Sequence, residues 1–422
     1  MFSGWHRALL LSLQLPEDGD AQVQDSLEEL RLLVESLGCE VGDRIVQTRP
    51  QIHPATFFGK GKLDFIKDTL HRLEADAVVV DRTLSPKQQQ NLEQHLKCLV
   101  LDRTQVILEI FARNARSRAA QLQIRLAQSE YLFPRLMGLW QHLDRERGGI
   151  GLSRGMGEKQ IVKDRHYLQR RIAKLRTELS KLERERVTQK KRRTHCLRVS
   201  LVGYTNAGKS TVMNALTDSE LLVEDRLFAT LDSTTRLLQE GSRPKVLLSD
   251  TVGFIRNLPT ELIEAFKSTL ETVRDADLLL QVVDANDDFE AHLRTTQQVL
   301  EDLGANRIPV QLVFNKTDQA DPLRLGMLKR LYPDAVFISA LNSGGVARLQ
   351  EHIRTFFEQR MKTVTIRLDY QHSQRLSDIY EWSRVDEIDY REEGIQMTLT
   401  SLPGYLNRLR SHLAPNFTEL PA

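Results

Sequence analysis

The 422-residue chain has only three cysteines, Cys39, Cys98 and Cys196. They are odd in number and far apart, which excludes a disulfide framework or a clustered zinc site and points to reduced thiols in the cytoplasm. Long apolar runs are also missing. The nearest approach, Trp5 to Leu15, is interrupted by His6 and Arg7 and stopped by Pro16. That is far short of the roughly 20 residues that span a bilayer, so a buried strand is expected there. No internal repeat or low-complexity linker stands out. At 41% hydrophobic and 27% charged residues, the composition is that of an ordinary soluble protein. The length exceeds what one compact core accommodates, so two to four domains are expected.

Net charge is nearly absent overall, at +2, but it is unevenly placed. Residues 113–194 hold 22 Lys and Arg against 8 Asp and Glu, a net +14 that leaves −12 for the remainder. A charge run of this kind can be a solvated helix face. Its size and one-sidedness favour the alternative, a surface for a polyanion.

Hydrophobic periodicity divides the chain into four parts. Over residues 1–112, strands at Ala8 to Leu13, Val41 to Gln47, Ala77 to Val80 and Cys98 to Leu101 alternate with helices at Gln24 to Leu37, Lys62 to Leu73 and from Ser85 onward. Pro86 suits a first helical turn. This alternation implies an open, mostly parallel α/β sheet. Residues 113–195 read as an antiparallel helical hairpin. Leu168, Ile172, Leu175, Leu179 and Leu182 recur at coiled-coil spacing and face Leu122, Leu126, Phe133, Leu136 and Trp140, with Pro134 as the expected kink. A glycine-rich tip, Arg147 to Gly157, joins the arms. About thirty residues per arm reach roughly 45 Å. Residues 196–360 form a second α/β domain and 361–422 a small α/β appendix, with strands at Val364 to Leu368 and Ile395 to Leu399 and helices near Ser373 to Trp382 and Gly404 to Leu413. The fold class is therefore multidomain α/β.

The motifs that carry chemistry lie in the third part. Gly203-Tyr204-Thr205-Asn206-Ala207-Gly208-Lys209-Ser210 follows the apolar strand Arg198 to Gly203 and leads into a helix, Thr211 to Leu216. Its glycines let backbone N–H groups close around phosphates, Lys209 brings a charge to the terminal phosphates and Ser210 offers a hydroxyl to magnesium. Asp250-Thr251-Val252-Gly253 follows Val246 to Leu248, so that Asp250 reaches the magnesium through water and Gly253 senses the terminal phosphate. Asn315-Lys316-Thr317-Asp318 follows Val310 to Phe314, and Asp318 can accept from both the ring N–H and the amine of guanine, which selects GTP over ATP. Ser339-Ala340-Leu341 can aim a backbone N–H at the guanine oxygen. Each tetrapeptide also occurs as an ordinary turn; the four in this order leave little room for coincidence.

Between the first two motifs lies Leu227-Phe228-Ala229-Thr230-Leu231-Asp232-Ser233-Thr234-Thr235-Arg236. Here a mobile segment is expected to carry Thr230 onto the magnesium and terminal phosphate when GTP is bound. Phe228, Ala229, Leu231 and Asp232 flank it as nucleotide-site residues, while Thr234 and Thr235 suit caps or turns. The expected reaction residues are Lys209, Thr230 and Gly253, with Ser210 and Thr230 as metal ligands. Phe254 stands where many signalling GTPases place the glutamine that orients the attacking water. Unstimulated hydrolysis should therefore be slow. Asn206 could help hold a monovalent cation, which makes stimulation by potassium an expectation.

On these residues the chain resembles the HflX family of the Obg-HflX group of GTPases. The resemblance rests on Gly203 to Ser210, Phe228 to Asp232 and Asp250 to Arg256, and also on Pro54-Ala55-Thr56, Gly59-Lys60-Gly61-Lys62, Leu84-Ser85-Pro86 and Leu101-Asp102-Arg103-Thr104. It implies a monomeric factor that binds the large ribosomal subunit, splits stalled or idle ribosomes in its GTP state, and directs the hairpin tip towards the peptidyl transferase centre. Ribosomal RNA would then be the polyanion met by the +14 segment, with Arg145, Arg147 and Arg154 foremost. The chain departs from the family pattern at Met156, Lys159, Val162 and Ser233. A large-subunit assembly or RNA-remodelling GTPase that binds without splitting is the second reading, and a GTP-regulated RNA-binding adaptor the third.

Overall fold

A computed structural model describes residues 4–146, 154–191, 196–217, 228, 234–238, 244–256, 272–413 and 417–420. The chain gathers into two compact units. The first comprises Met1–Glu183 with the short segments Asp225–Asp232 and Ile255–Ser268; the second comprises Arg184–Glu224, Ser233–Phe254 and Thr269–Ala422.

The first unit is built on four parallel strands in the order β2-β1-β3-β4: β1 Arg7–Gln14, β2 Glu40–Thr48, β3 Ala77–Val80 and β4 Leu99–Asp102. The Ala-Val-Val-Val run of β3 is buried at every position, as a central parallel strand with both faces covered requires. Helix α1, Asp20–Ser36, turns Val23, Leu27, Leu30, Leu33 and Val34 inward. Burying each of these side chains contributes roughly 1.5–3 kcal/mol. Helix α2, Lys60–Leu73, ends at Glu74 in the left-handed region. Helix α3, Pro86–Leu96, starts at a reciprocal cap in which Ser85 and Gln88 satisfy each other's backbone N–H groups.

The next helix was not expected. Asp102 ends β4 and caps α4, Arg103–Asn114, again reciprocally with Gln105. The strand signal ran straight into a helix start without a glycine or proline between them, so no turn was visible. Its first residue, Arg103, is fully buried. Its guanidinium reaches Asp81 Oδ1 at 2.7 Å, Ser26 O and Oγ at 3.3 Å, and Glu29. A buried cation needs such a set of acceptors to offset its lost hydration.

Two long helices follow, α5 Arg118–Glu146 and α6 Arg154–Lys191. They meet at a seam of Leu122, Leu126 and Leu175 with Ile172, Leu179 and Leu182 around it, and Arg176 pairs with Glu130 at 2.7 Å. Leu168 and Phe133 are half-buried and outside this cluster; the side chains of Leu136 and Trp140 lie outside the described residues. Pro134 is inside α5. The expected tip is shorter at its far end, because Arg154 to Gly157 form the first turn of α6. The root of α5 is tied to the sheet: Tyr131 Oη donates to Asp102 Oδ2 at 2.5 Å, and Arg135 donates to Leu84 O at 2.7 Å and Gln89 Oε1 at 3.0 Å while its guanidinium lies 3.3 Å over the Tyr131 ring.

The second unit carries a six-stranded mixed sheet, β10-β9-β8-β5-β7-β6, from β5 Leu197–Val202, β6 Thr235–Leu237, β7 Val246–Asp250, β8 Leu278–Asp284, β9 Val310–Asn315 and β10 Val336–Phe337. All neighbours are parallel except β6 with β7. Among the described residues its longer helices are α7 Lys209–Thr217, α8 Phe289–Asp302, α9 Pro322–Leu331 and α10 Ser343–Glu358. Strand β8, buried at all seven positions, escaped the sequence reading; its apolar residues, broken by Gln281 and closed by Asp284, show no alternation.

The tail holds a four-stranded antiparallel sheet, β12-β13-β11-β14, from β11 Lys362–Leu368, β12 Arg384–Arg391, β13 Gly394–Ser401 and β14 Phe417–Leu420. A 3-10 turn Tyr370–Arg375, α11 Leu376–Trp382 and α12 Pro403–Leu413 complete it. Two strands were expected and four are present. The exposed, charge-rich β12 offers almost no apolar alternation to read. Tyr405 Oη donates to Cys196 O at 2.9 Å, tying α12 to the approach of β5.

Asp102 accepts from Leu84 N at 2.9 Å, Gln105 N at 3.0 Å, Tyr131 Oη and Arg135. Asp102→Ala leaves several of these buried donors unmatched and should lower the unfolding free energy by about 3–5 kcal/mol, read as a shift of the denaturant midpoint.

Candidate functional site

The loop between β5 and α7 is shaped by its neighbours. Gly203 has φ +145°, and a Cβ there would stand 2.2 Å from Val282 O on β8. Phe254 N donates to Gly203 O at 3.1 Å and Thr205 N donates to Phe254 O at 2.8 Å, which holds the chain after β7 against the loop. The Tyr204 ring stacks on His292 of α8, centroids 3.7 Å apart. Asn206 is exposed with φ +60°, a conformation that asparagine adopts more readily than most residues. Gly208 has φ +88°, and a Cβ there would meet Asn315 Nδ2 at 2.3 Å.

Lys209 opens α7 and is buried. Its ammonium donates to Tyr204 O at 2.7 Å. Burial lowers its pKa to about 8, and the nearby Asp250 carboxylate opposes that shift. Ser210 Oγ donates to Asp250 Oδ2 at 2.6 Å, so the hydroxyl and the carboxylate expected beside the metal are in direct contact. Thr251 Oγ1 donates to Leu201 O at 2.7 Å, and Val252 is buried. Gly253 comes so near the loop that a Cβ would lie 2.9 Å from Thr205 Cα and Cγ2 and 3.0 Å from Lys209 Nζ. Phe254 is buried, its ring in the core and its backbone on the loop.

Asn315 is the hub of the far end. Its Nδ2 donates to Ala207 O at 3.1 Å and its Oδ1 accepts from Ala340 N at 3.0 Å, so one amide joins the first motif to the last. Lys316 has φ +58° and its ammonium pairs with Asp284 Oδ2 at 2.8 Å. Asp284 also accepts from Asn286 N and Nδ2 through Oδ1. Sequence reasoning missed Asp284 because it missed β8; an aspartate closing an apolar run was the available signal. Thr317 N donates to Ile338 O, Asp318 is exposed, Ser339 is buried and Leu341 is exposed. The structure thus brings together Gly203 to Ser210, Asp250 to Gly253, Asn315 to Asp318 and Ser339 to Leu341 at the C-terminal ends of the second unit's parallel strands.

Phe228 is different. It was expected among the nucleotide residues, but its ring is buried edge-on against Phe111, 4.5 Å between centroids, and its carbonyl accepts from Asn114 Nδ2 at 2.8 Å. Its setting is an apolar socket on α4 within the first unit. The sequence carried no sign of that socket. Ala229, Thr230, Leu231 and Asp232 lie outside the described residues.

Three family models match consecutive stretches of the chain. They are described as GTP-binding GTPase N-terminal, residues 24–112, GTP-binding GTPase Middle Region, residues 114–193, and 50S ribosome-binding GTPase, residues 198–316. The GTPase HflX of Gluconacetobacter diazotrophicus is 39% identical over 446 aligned residues, covering 96% of this chain and 98% of that one. The chain belongs to the HflX family of GTPases. The GTPase HflX of Caldanaerobacter subterraneus is 40% identical, covering 96% and 94%, and that of Escherichia coli 37% identical, covering 93% and 92%. Among solved structures, a GTP-binding protein from Sulfolobus solfataricus in complex with GDP is similar at TM-score 0.45 and 23% identity, covering 82% of this chain and 99% of that one. As an HflX family member the chain binds GTP and hydrolyses it to GDP and phosphate. Among the described residues no helix is long and apolar enough to cross a membrane.

Two glycines give the same substitution opposite signs. Gly203→Ala drives a methyl into Val282 O at positive φ and should destabilise the second unit by more than about 2 kcal/mol. Gly326, within α9, has open space where a Cβ would stand, so Gly326→Ala should stabilise by up to about 1 kcal/mol. Chemical denaturation of the two variants checks both.

Proposed function

We propose that this HflX family GTPase binds the large ribosomal subunit and, in its GTP state, splits stalled or idle ribosomes into subunits, with hydrolysis releasing it. The observation that carries the reading is the +14 segment. Lys163, Arg170, Arg171, Lys174, Lys181 and Arg184 are exposed along one side of α6, with Arg165 exposed beside the seam, a surface suited to RNA phosphates. The match of residues 198–316 to a model described as a 50S ribosome-binding GTPase supports it.

In this reading the chain divides at 1–112, 113–195, 196–360 and 361–422, and α5 and α6 form an antiparallel hairpin whose tip enters the ribosome. The protein works as a cytoplasmic monomer. Lys209 and the N–H groups of Gly203 to Ser210 hold the phosphates, Gly253 contacts the terminal phosphate, and Asp318 with the Ser339 to Leu341 loop reads guanine. Ser210 at the N-terminus of α7 and Thr230 would hold magnesium through their hydroxyls, with Asp250 at the end of β7 reaching it through water, an oxygen set that fits the ion. Magnesium, when bound, neutralises charge on the phosphates. Asn206, exposed in the loop, would hold potassium. Phe254, buried in the core, cannot orient water, so hydrolysis is slow until the ribosome stimulates it.

Incubating assembled ribosomes with the full chain and a non-hydrolysable GTP analogue should yield free subunits on a sucrose gradient, whereas GDP should not. Arg147→Glu with Arg154→Glu should abolish the conversion. Large-subunit binding without conversion would favour the assembly-factor reading, which the departures at Met156, Lys159 and Val162 keep in play. Hydrolysis should also run several-fold faster in potassium than in sodium buffer, as expected when a fixed cation stabilises phosphoryl charge; equal rates would remove potassium from the scheme.

A further inference from the structure

We propose that Thr205 is a catalytic residue of GTP hydrolysis, its hydroxyl contacting the attacking water and the terminal phosphate in place of the glutamine that Phe254 displaces. The inference rests on the reading of Gly203 to Ser210 as the phosphate loop and extends it.

Three observations converge on this side chain. Thr205 is 5% exposed, and its Oγ1 is buried with no hydrogen-bond partner among the described residues. Buried hydroxyls are nearly always paired, so one held without a partner at a reaction site asks what partner it awaits. The side chain also sits at the focus of the site. A Cβ placed on Gly253 would touch Thr205 Cγ2 at 2.9 Å and Lys209 Nζ at 3.0 Å, so Thr205, the phosphate-sensing glycine and the phosphate-binding ammonium face one point. Finally, Thr205 is fixed through its backbone, whose N–H donates to Phe254 O at 2.8 Å. Phe254 gives its carbonyl to this anchor and its ring to the core, leaving the water-orienting task to a neighbouring side chain.

The remaining freedom is rotation about χ1. A step of about 120° exchanges Cγ2 for Oγ1 and presents the hydroxyl to the Gly253–Lys209 focus. There the oxygen accepts a hydrogen bond from the attacking water and the hydroxyl hydrogen is donated to a terminal-phosphate oxygen. The water oxygen forms the new bond to phosphorus, the bond from phosphorus to the β–γ bridging oxygen breaks, and the water proton passes to the released phosphate. Thr205 ends unchanged. Asn206, the next residue, is exposed and is not placed to share this role.

The test is single-turnover GTP hydrolysis and fluorescent GTP and GDP binding with the full chain. Thr205→Val keeps the shape and the methyl but removes the hydroxyl; it should slow hydrolysis by about tenfold or more while both affinities stay within about twofold. Thr205→Ser, which keeps the hydroxyl, should hydrolyse within about threefold of the parent. Parental hydrolysis by Thr205→Val, equal slowing of Val and Ser variants, or parallel loss of GTP and GDP binding would each overturn the proposal. Lys209→Ala separates the two readings: if it binds GTP as the parent does, the phosphate loop itself has been misassigned.

Discussion

The candidate nucleotide site depends on one short backbone bridge. Gly203 O accepts from Phe254 N and Thr205 N donates to Phe254 O, so the loop after β5 and the chain leaving β7 are joined like neighbouring strands beyond the end of their sheet. Everything else is fitted around that closeness. Gly203 lacks a side chain because Val282 O lies where one would go, and Gly253 lacks one because Thr205 and Lys209 do. Phe254 commits both of its backbone groups to the bridge and its ring to the core.

A second brace stands at the other side of the loop. The Asn315 amide spans Ala207 O and Ala340 N, so the segments that would read the base and those that would hold the phosphates are positioned by one planar group. Packed interiors resist small displacements. A shift at either end of Asn315 is therefore felt at the other, and the ion pair of Lys316 with Asp284 restrains the same segment from β8.

The motifs were legible in the sequence because each follows a strand and carries residue types that few other roles demand together. Gly203 to Ser210, Asp250 to Gly253 and Asn315 to Asp318 stand at strand ends, as their order implied. What stayed hidden was of two kinds. Elements without a period, such as β8, apolar but for Gln281 and Asp284, and the charged edge strand β12, leave no alternation to detect. Long-range partners leave no trace either: nothing near Phe228 in the chain announces Phe111, 117 positions earlier, and nothing near Asp102 announces Tyr131 and Arg135. The α5–α6 seam lay between, since its leucines were readable while the start of α6 at Arg154 depended on glycines being admissible in a first turn.

The socket for Phe228 bears on what counts as a separable piece of this protein. The first compact unit is not a contiguous stretch of chain: Phe228 seats on Phe111 and Asn114, and Arg256 lies 3.9 Å from Asp25, although both come from far downstream. A gene fragment ending near Glu183 would encode the sheet and the long helices yet omit the plug, leaving Phe111 and the Asn114 amide facing water. Modularity in this chain follows space and not sequence order.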